Sequence, residues 1–600
     1  MQYKIWRSPY SCFGGLNSLK LDNTKDETFT AVNIYTDEVL ADIASNGFNA
    51  IWLHAVLCSI SIVPEFPEFG QNAMAHISAL NTLVARAAGH GIKVFLYFQP
   101  VRGIASGNKE FWQNHPECAG QIETSSEQLI EEHMDEPLKV TSLCTSVPAV
   151  KNWIRDASSF LAENVPDLGG VILITASEYP GHCYSHRKKE NPTEWTHLIE
   201  CPRCKEREGW EVALEEIELV HEGIRKKSEK IQIIAWNWGW AMWLPTPCKE
   251  LLERLPKDVI LMADCERGGI QDMAERPDFP MDEYSLTYAG PSPRCKGTIE
   301  YGLSIGLKGM LKLQLGTTHE LGSVVDLPLM TNIFRKAFYL KKNPEIGYMG
   351  CWNFGNFTSA NTSAFNFFLR PETAETMEEA LMSFAQYYFP DCDANKILRA
   401  WLLMEKGSKY MPFAIPFLYR GCHAHALSYT SIFNTGKLNT RSAGTSYRPF
   451  ENRGDDLSGS ADIPGKFSLD EIISNLGKMA VIWNIAAESM LEGLHGKDDK
   501  HEAGNMFISA ALMQSAEYAY RAYRLRLNWD ESKNAELLHI INGEIENVER
   551  ALPFVEKDPR QGWHGEAYIR MFTPENMREK LLHLKTLREK IQAALLAGNK

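Results

Sequence analysis

The chain has 600 residues, too many for one compact core, so two or three domains are expected. A hydrophobic fraction of 44% is that of a globular protein, and a formal net charge of −14 argues against a nucleic-acid or anionic-membrane binder, which would show a basic face. No apolar run approaches transmembrane length, and Met1–Tyr10 lacks the apolar core of a signal peptide, so a cytoplasmic protein with no membrane partner is expected.

From the N-terminus, strand-like and helix-like segments alternate. The expected strands are Ala50–His54, Ile92–Tyr97, Val140–Leu143 and Gly170–Thr175, then Ile231–Trp236, Val259–Asp264, Gly309–Leu315 and Tyr348–Trp352. Between them lie segments of helical period, such as Glu38–Ala44, which stops before an Asn-Gly pair, and Ile77–Ala88, which stops at Gly89-His-Gly. Alternation of this kind predicts a parallel sheet with crossover helices, and eight strands predict closure into a (β/α)₈ barrel. The alternative is an open doubly wound sheet, but no glycine-rich dinucleotide fingerprint follows the first strand.

After about residue 370 the period becomes helical throughout. Helices are expected over Thr373–Tyr388, Ala394–Met411, Leu469–Leu494, Glu502–Asn528, Lys533–Leu552 and Glu575–Leu596. The expected domains are therefore a barrel over 1–370 and an all-α domain over 371–600. This helical part could complete a substrate pocket, shield the barrel or form a homo-oligomer interface. Pro412–Gly465 reads as an irregular stretch rich in aromatics and histidines, among them Phe417, Tyr419, His423, Tyr429 and Tyr447. It either closes over the barrel mouth or wraps the surface.

Active sites of such barrels lie just past the C-terminal ends of the strands. There the run Val171-Ile-Leu-Ile-Thr-Ala-Ser-Glu178 ends in a carboxylate after the fourth expected strand. Glu320 follows the seventh. Two rim carboxylates suit glycosidic cleavage, with Glu178 as the acid/base and Glu320 as the second catalytic group. Asp264 and Glu266, after the sixth strand, compete for the second role or bind sugar hydroxyls; a surface pairing with Arg267 is the plainer reading. Trp236, Asn237 and Trp238 follow the fifth strand and Trp352 and Asn353 end the eighth. Indole faces stack on sugar rings while amides and acids take the hydroxyls, so these residues, with Ser177, Tyr284, Gln314 and His319, are expected to bind substrate. The plainer reading of the tryptophans is core packing.

The chain has 13 cysteines, an odd and scattered set that argues against a disulfide framework. Cys201-Pro-Arg-Cys204, with Cys183 and His186 shortly before, has the make-up of a structural zinc site, His182 being an alternative ligand. No catalytic cofactor is expected. Reduced thiols without metal are the alternative.

The strand ending in Ser177-Glu178, its cysteine-bearing loop, and the segments Lys312-Leu-Gln-Leu, Thr318-His-Glu-Leu-Gly-Ser-Val and Tyr284-Ser make the first 370 residues resemble the family-20-like glycoside hydrolases, the β-N-acetylhexosaminidases and their remote relatives. The resemblance implies an exo-acting β-glycosidase on β-linked N-acetylhexosamine. It also implies an Asp before the catalytic Glu, orienting the substrate acetamido group as nucleophile. Here that position is Ser177, so another acid would do this work, or a protein carboxylate would be the nucleophile, as in a retaining β-galactosidase. A non-catalytic sugar-binding barrel and a metal-dependent hydrolase using His54 and His319 are the remaining readings.

Overall fold

The structure, a computed structural model, describes residues 3–11, 26–124, 139–177, 179–193, 196–443, 454–463 and 465–598. Glu178 and Tyr447, singled out above, lie outside the described residues.

Eight parallel strands close into a barrel: β1 (Lys4–Trp6), β2 (Ala50–His54), β3 (Lys93–Phe98), β4 (Gly170–Ile174), β5 (Gln232–Trp236), β6 (Ile260–Asp264), β7 (Lys308–Lys312) and β8 (Gly347–Met349). A helical region follows it, so the fold is a (β/α)₈ barrel with an all-α C-terminal part. Two strand assignments change. Val140–Leu143 is extended, within Lys139–Leu143, but it is the central strand of a three-stranded antiparallel sheet with Ile104–Ala105 and Ala119–Thr124. The barrel strand that the sequence does not reveal is β1, which at three residues is too short to show any period. The two errors cancel in the count. The fourth to eighth strands keep their places, and the strand of Tyr97 becomes the third.

Register determines which side chains face inward. Tyr97 pairs with Ile172, Ile172 with Ile234 and Ile234 with Ile260. Paired residues share a face, so the relation can be carried round the ring. It places Trp52, His54, Tyr97, Ile174, Trp236, Asp264 and Lys312 on one face. Ring contacts identify that face as the interior: Tyr97 of β3 lies 6.3 Å from Trp236 of β5, a non-neighbouring strand.

Compactness divides the chain into two units. The first comprises 1–267, 291–313 and 343–352, and contains the whole barrel; the second comprises 268–290, 314–342 and 353–600. In the second, helices run over Met377–Tyr388, Ala394–Ser408, Leu469–Gly493, Glu502–Leu527, Asn534–Lys557 and Pro574–Gly598. Their caps are local. Ser468 Oγ accepts from the backbone N–H of Glu471, whose carboxylate accepts from the N–H of Ser468 at 2.7 Å, a reciprocal pair that starts the helix at Leu469. Gly407 lets the helix Ala394–Ser408 approach Leu469–Gly493 closely: a Cβ there would stand 2.4 Å from the Trp483 ring. The described part of 412–465 has more regular structure than its sequence suggests. It contains the helix Ile415–Arg420 and short 3₁₀ turns, with Phe417 stacked on His423. No helix among the described residues is long and apolar enough to cross a membrane.

Candidate active site

The C-terminal end of the barrel holds a wall of aromatic rings. Trp52 of β2 stacks on Trp352, just past β8, with centroids 5.0 Å apart and planes 15° from parallel. Tyr97 meets Trp352 edge-on at 4.9 Å, and Trp236 meets it at 4.9 Å. Pairs of this kind contribute about 0.5–1.5 kcal/mol each beyond burial. Behind Trp52 lies the Arg7 guanidinium, 4.2 Å from the ring centroid and paired at 2.7 Å with Glu27, both side chains fully buried. Glu27 also accepts from the backbone N–H of His54 at 2.7 Å, tying the residue at the top of β2 to the segment after β1. Burial, and then the charges of Arg102 and Arg7, hold the His54 imidazole well below its usual pKa, so it is neutral.

Asp264 ends β6 and points into the same interior. Trp236 Nε1 donates to its Oδ1 at 2.7 Å, and Arg267 lies 3.6 Å from its Oδ2. Trp236 and Met262 are both in register, Trp236 with Ile174 as well, so Asp264 stands two residues higher than the end of β4. The Lys312 ammonium of β7 lies 5.5 Å from the Trp236 ring centroid. Arg267 also faces the Trp238 ring at 5.1 Å, so its pairing with Asp264 belongs to the site and is not a surface bridge. Asn237 and Glu266 are buried beside these residues in sequence, at 5% and 0% exposure. Ser177 is 8% exposed, and its Oγ accepts from the N–H of Tyr179 at 3.3 Å. The Tyr179 carbonyl accepts from Gln99 at 3.1 Å and its ring carries the Arg102 guanidinium at 3.6 Å, which fixes Tyr179.

Glu320 is placed differently from expectation. Among residues of its own unit it accepts from Leu286 N at 2.7 Å, Thr287 N at 3.2 Å, Thr287 Oγ1 at 2.7 Å, Ser285 Oγ at 3.3 Å and Thr318 Oγ1 at 3.0 Å. Burial pushes its carboxyl pKa up, and these donors oppose the rise. Both oxygens are engaged and the side chain is fully buried, which is the setting of an anchor for the turn 285–287 and not of an exposed nucleophile. Tyr284, Gln314, His319 and Asn353 lie in the same second unit. His319 stacks on Tyr419 at 4.1 Å, meets Tyr284 and Phe354 edge-on, and pairs with Glu566 at 3.1 Å. From the aromatic stretch, Tyr419 covers one face of the His319 ring.

The expected zinc set also changes by one ligand. Cys183, Cys201 and Cys204 come together, but the fourth member is Cys144. His186 instead faces Glu123, with Nε2 3.6 Å from Oε2. His182 is held by the backbone, its Nε2 at 2.5 Å from the Thr175 carbonyl and its Nδ1 accepting from Tyr184 N at 3.0 Å. Cys144 was passed over because it lies at the end of a strand 39 residues before Cys183 in the chain. Trp52, Arg7 and Arg102 were missed as well. Trp52 sits inside the expected strand Ala50–His54, and Arg7 directly follows the short apolar run Ile5-Trp6, but neither signal points to a site.

No protein-family model matches the chain, and no curated protein matches it. Solved structures do resemble it. A GH138 enzyme targeting pectin rhamnogalacturonan II aligns over 100% of this chain and 82% of its own, at 10% identity and a TM-score of 0.46. A GH20 exo-β-N-acetylglucosaminidase from Vibrio harveyi aligns over 68% and 59%, at 12% identity and 0.33. A Bacteroidetes-affiliated GH5 cellulase aligns over 58% and 90%, at 10% identity and 0.33. At these scores the likenesses carry no weight for chemistry, which has to be read from the side chains.

Proposed function

We propose that this chain is a glycoside hydrolase that cleaves a β-linked sugar, with N-acetylhexosamine as the first candidate, at the C-terminal mouth of its barrel. The supporting observation is the joining of an inward carboxylate, Asp264, to the aromatic wall of Trp52, Tyr97, Trp236 and Trp352. A sugar ring offers apolar C–H faces and a rim of hydroxyls, and this end of the barrel offers flat rings beside charged and amide groups. Glu178, four residues past β4, is the acid that protonates the leaving oxygen. Asp264 takes the second role in place of Glu320, because its carboxylate faces the barrel interior. In that role it either orients a substrate acetamido group, the work that Ser177 cannot do without a charge, or attacks the anomeric carbon itself.

Hydrolysis of 4-nitrophenyl β-N-acetylgalactosaminide and 4-nitrophenyl β-galactoside, side by side, tests the reading. Cleavage of the N-acetylated sugar alone is the expected result and assigns Asp264 the orienting role. Cleavage of the plain galactoside makes Asp264 a covalent nucleophile. Ser177 in the position of an orienting Asp favours one other reading, a barrel that binds sugar without cleaving it. Calorimetric binding of N-acetylgalactosamine with no turnover of either glycoside would establish that reading and overturn the first.

A further inference from the structure

The loop between β4 and the helix Gly209–Arg225 is docked on the small antiparallel sheet by polar contacts from several directions. Gln121 Oε1 accepts from the backbone N–H groups of Glu200 at 2.9 Å and Cys201 at 3.1 Å. Arg187 Nε pairs with Glu123 at 2.7 Å, and Arg203 donates to the Ala119 carbonyl. At the centre of this junction lie four buried thiols, Cys144 from the end of the strand Lys139–Leu143, and Cys183, Cys201 and Cys204 from the loop. Their sulfurs all fall within 4.8 Å of one another. Among the described residues they are the one group of three or more His, Cys, Asp or Glu side chains that converge closely enough to hold a metal ion.

We propose that Cys144, Cys183, Cys201 and Cys204 form a tetrathiolate zinc site that clamps the β4 loop to the antiparallel sheet. The sulfur spacing has the size of a coordination shell. A Zn–S bond of about 2.3 Å in a tetrahedron gives sulfur–sulfur edges of about 3.8 Å. Cys144 Sγ lies 3.6 Å from Cys204 Sγ and 3.9 Å from Cys201 Sγ. Disulfide sulfurs would sit about 2.05 Å apart. The backbone is shaped for ligation too. The N–H groups of Cys204 and Lys205 both donate to the Cys201 carbonyl, at 3.1 and 3.0 Å, closing the tight turn that brings the two sulfurs of a CxxC pair onto one ion. Gly120 makes room, since a Cβ there would stand 2.5 Å from Cys183 Sγ. Outer partners orient and neutralise the sulfurs: Arg203 Nε donates to Cys144 Sγ at 3.3 Å, and Ser146 Oγ lies 3.4 Å from Cys204 Sγ. Binding releases one proton from each of the four thiols and leaves a centre of net charge −2, which the Arg203 guanidinium partly offsets.

The site bears on the catalytic reading because the clamped loop begins just past Ser177, but it stands on its own geometry and is tested without activity. The full chain is purified without chelator and its metal measured by mass spectrometry. About one zinc per chain is expected, abolished in Cys144→Ser and retained in His186→Ala. Cobalt substitution of the wild-type chain, which needs no variant to fold, should give the sulfur-to-cobalt charge-transfer absorption and intense visible bands of a tetrahedral tetrathiolate. Absence of zinc with no such cobalt spectrum overturns the proposal. Retention of zinc in Cys144→Ser with loss in His186→Ala overturns the ligand set.

Discussion

Asp264 and Glu320 are both buried acids that follow barrel strands, yet their surroundings ask different things of them. Glu320 is saturated by five donors that hold a turn; Asp264 has an indole N–H on one oxygen and an arginine near the other, at the rim of the barrel interior. Asp264→Asn should therefore lower kcat by roughly 10²–10³-fold while the protein keeps its fold, the scale of losing one electrostatic group at a reacting centre. Glu320→Gln should destabilise the chain by about 1–3 kcal/mol, because the new amide N–H₂ faces backbone and hydroxyl donors. Steady-state kinetics and urea denaturation of both variants separate the two effects. A Glu320→Gln protein of normal stability and lost turnover would reverse the assignment. Sequence could not tell these acids apart, since each reads as a carboxylate after an apolar run. What distinguishes them is the turn 285–287, more than 30 residues away from Glu320 in the chain, and the indole of Trp236.

At the scale of elements, long amphipathic helices were legible to within a few residues, because their apolar period repeats over several turns. The ends of Leu469–Gly493 and Glu502–Leu527 agree with expectation almost residue for residue. The helix expected to stop at Leu552 runs through Pro553 to Lys557. In contrast, β1 has no internal pattern to read and Lys139–Leu143 has the composition of a barrel strand; only pairing distinguishes them. One inter-helix contact is invisible to periodicity altogether. Lys580 of Pro574–Gly598 pairs with Glu544 of Asn534–Lys557, both side chains without exposure, and Ser515 Oγ also donates to Glu544 at 2.7 Å. Burial lowers the Lys580 pKa and raises that of Glu544, and the pairing opposes both shifts. Lys580→Met leaves a buried carboxylate without its cation and should cost about 3–5 kcal/mol, with the Lys580→Met, Glu544→Gln double variant recovering part of the loss. Urea unfolding of the two variants measures this; a single variant within about 0.5 kcal/mol of wild type, the range of ordinary surface changes, would show the pair to be dispensable.

For the whole molecule, alternation of strand and helix predicts a parallel sheet with crossover helices, but the count of eight that predicts closure holds only because Lys139–Leu143, outside the barrel, offsets the unexpected β1. The closed ring also explains how residues far apart in the chain share one wall: Trp52, Tyr97 and Trp236 come from β2, β3 and β5, and Trp352 from just past β8. Their individual strand ends could be read from sequence, but their convergence needs the register. The proposed function has this mouth cleave glycosides with Glu178 as the proton donor. The most direct measurement compares wild type with Glu178→Gln on aryl β-glycosides of good and poor leaving groups, 2,4-dinitrophenol against 4-methylphenol. Loss of an acid should lower kcat/KM for the poor leaving group by roughly 10²–10⁴-fold and leave the activated one, which departs without protonation, far less affected. Near-wild-type turnover of both substrates by Glu178→Gln would contradict the claim.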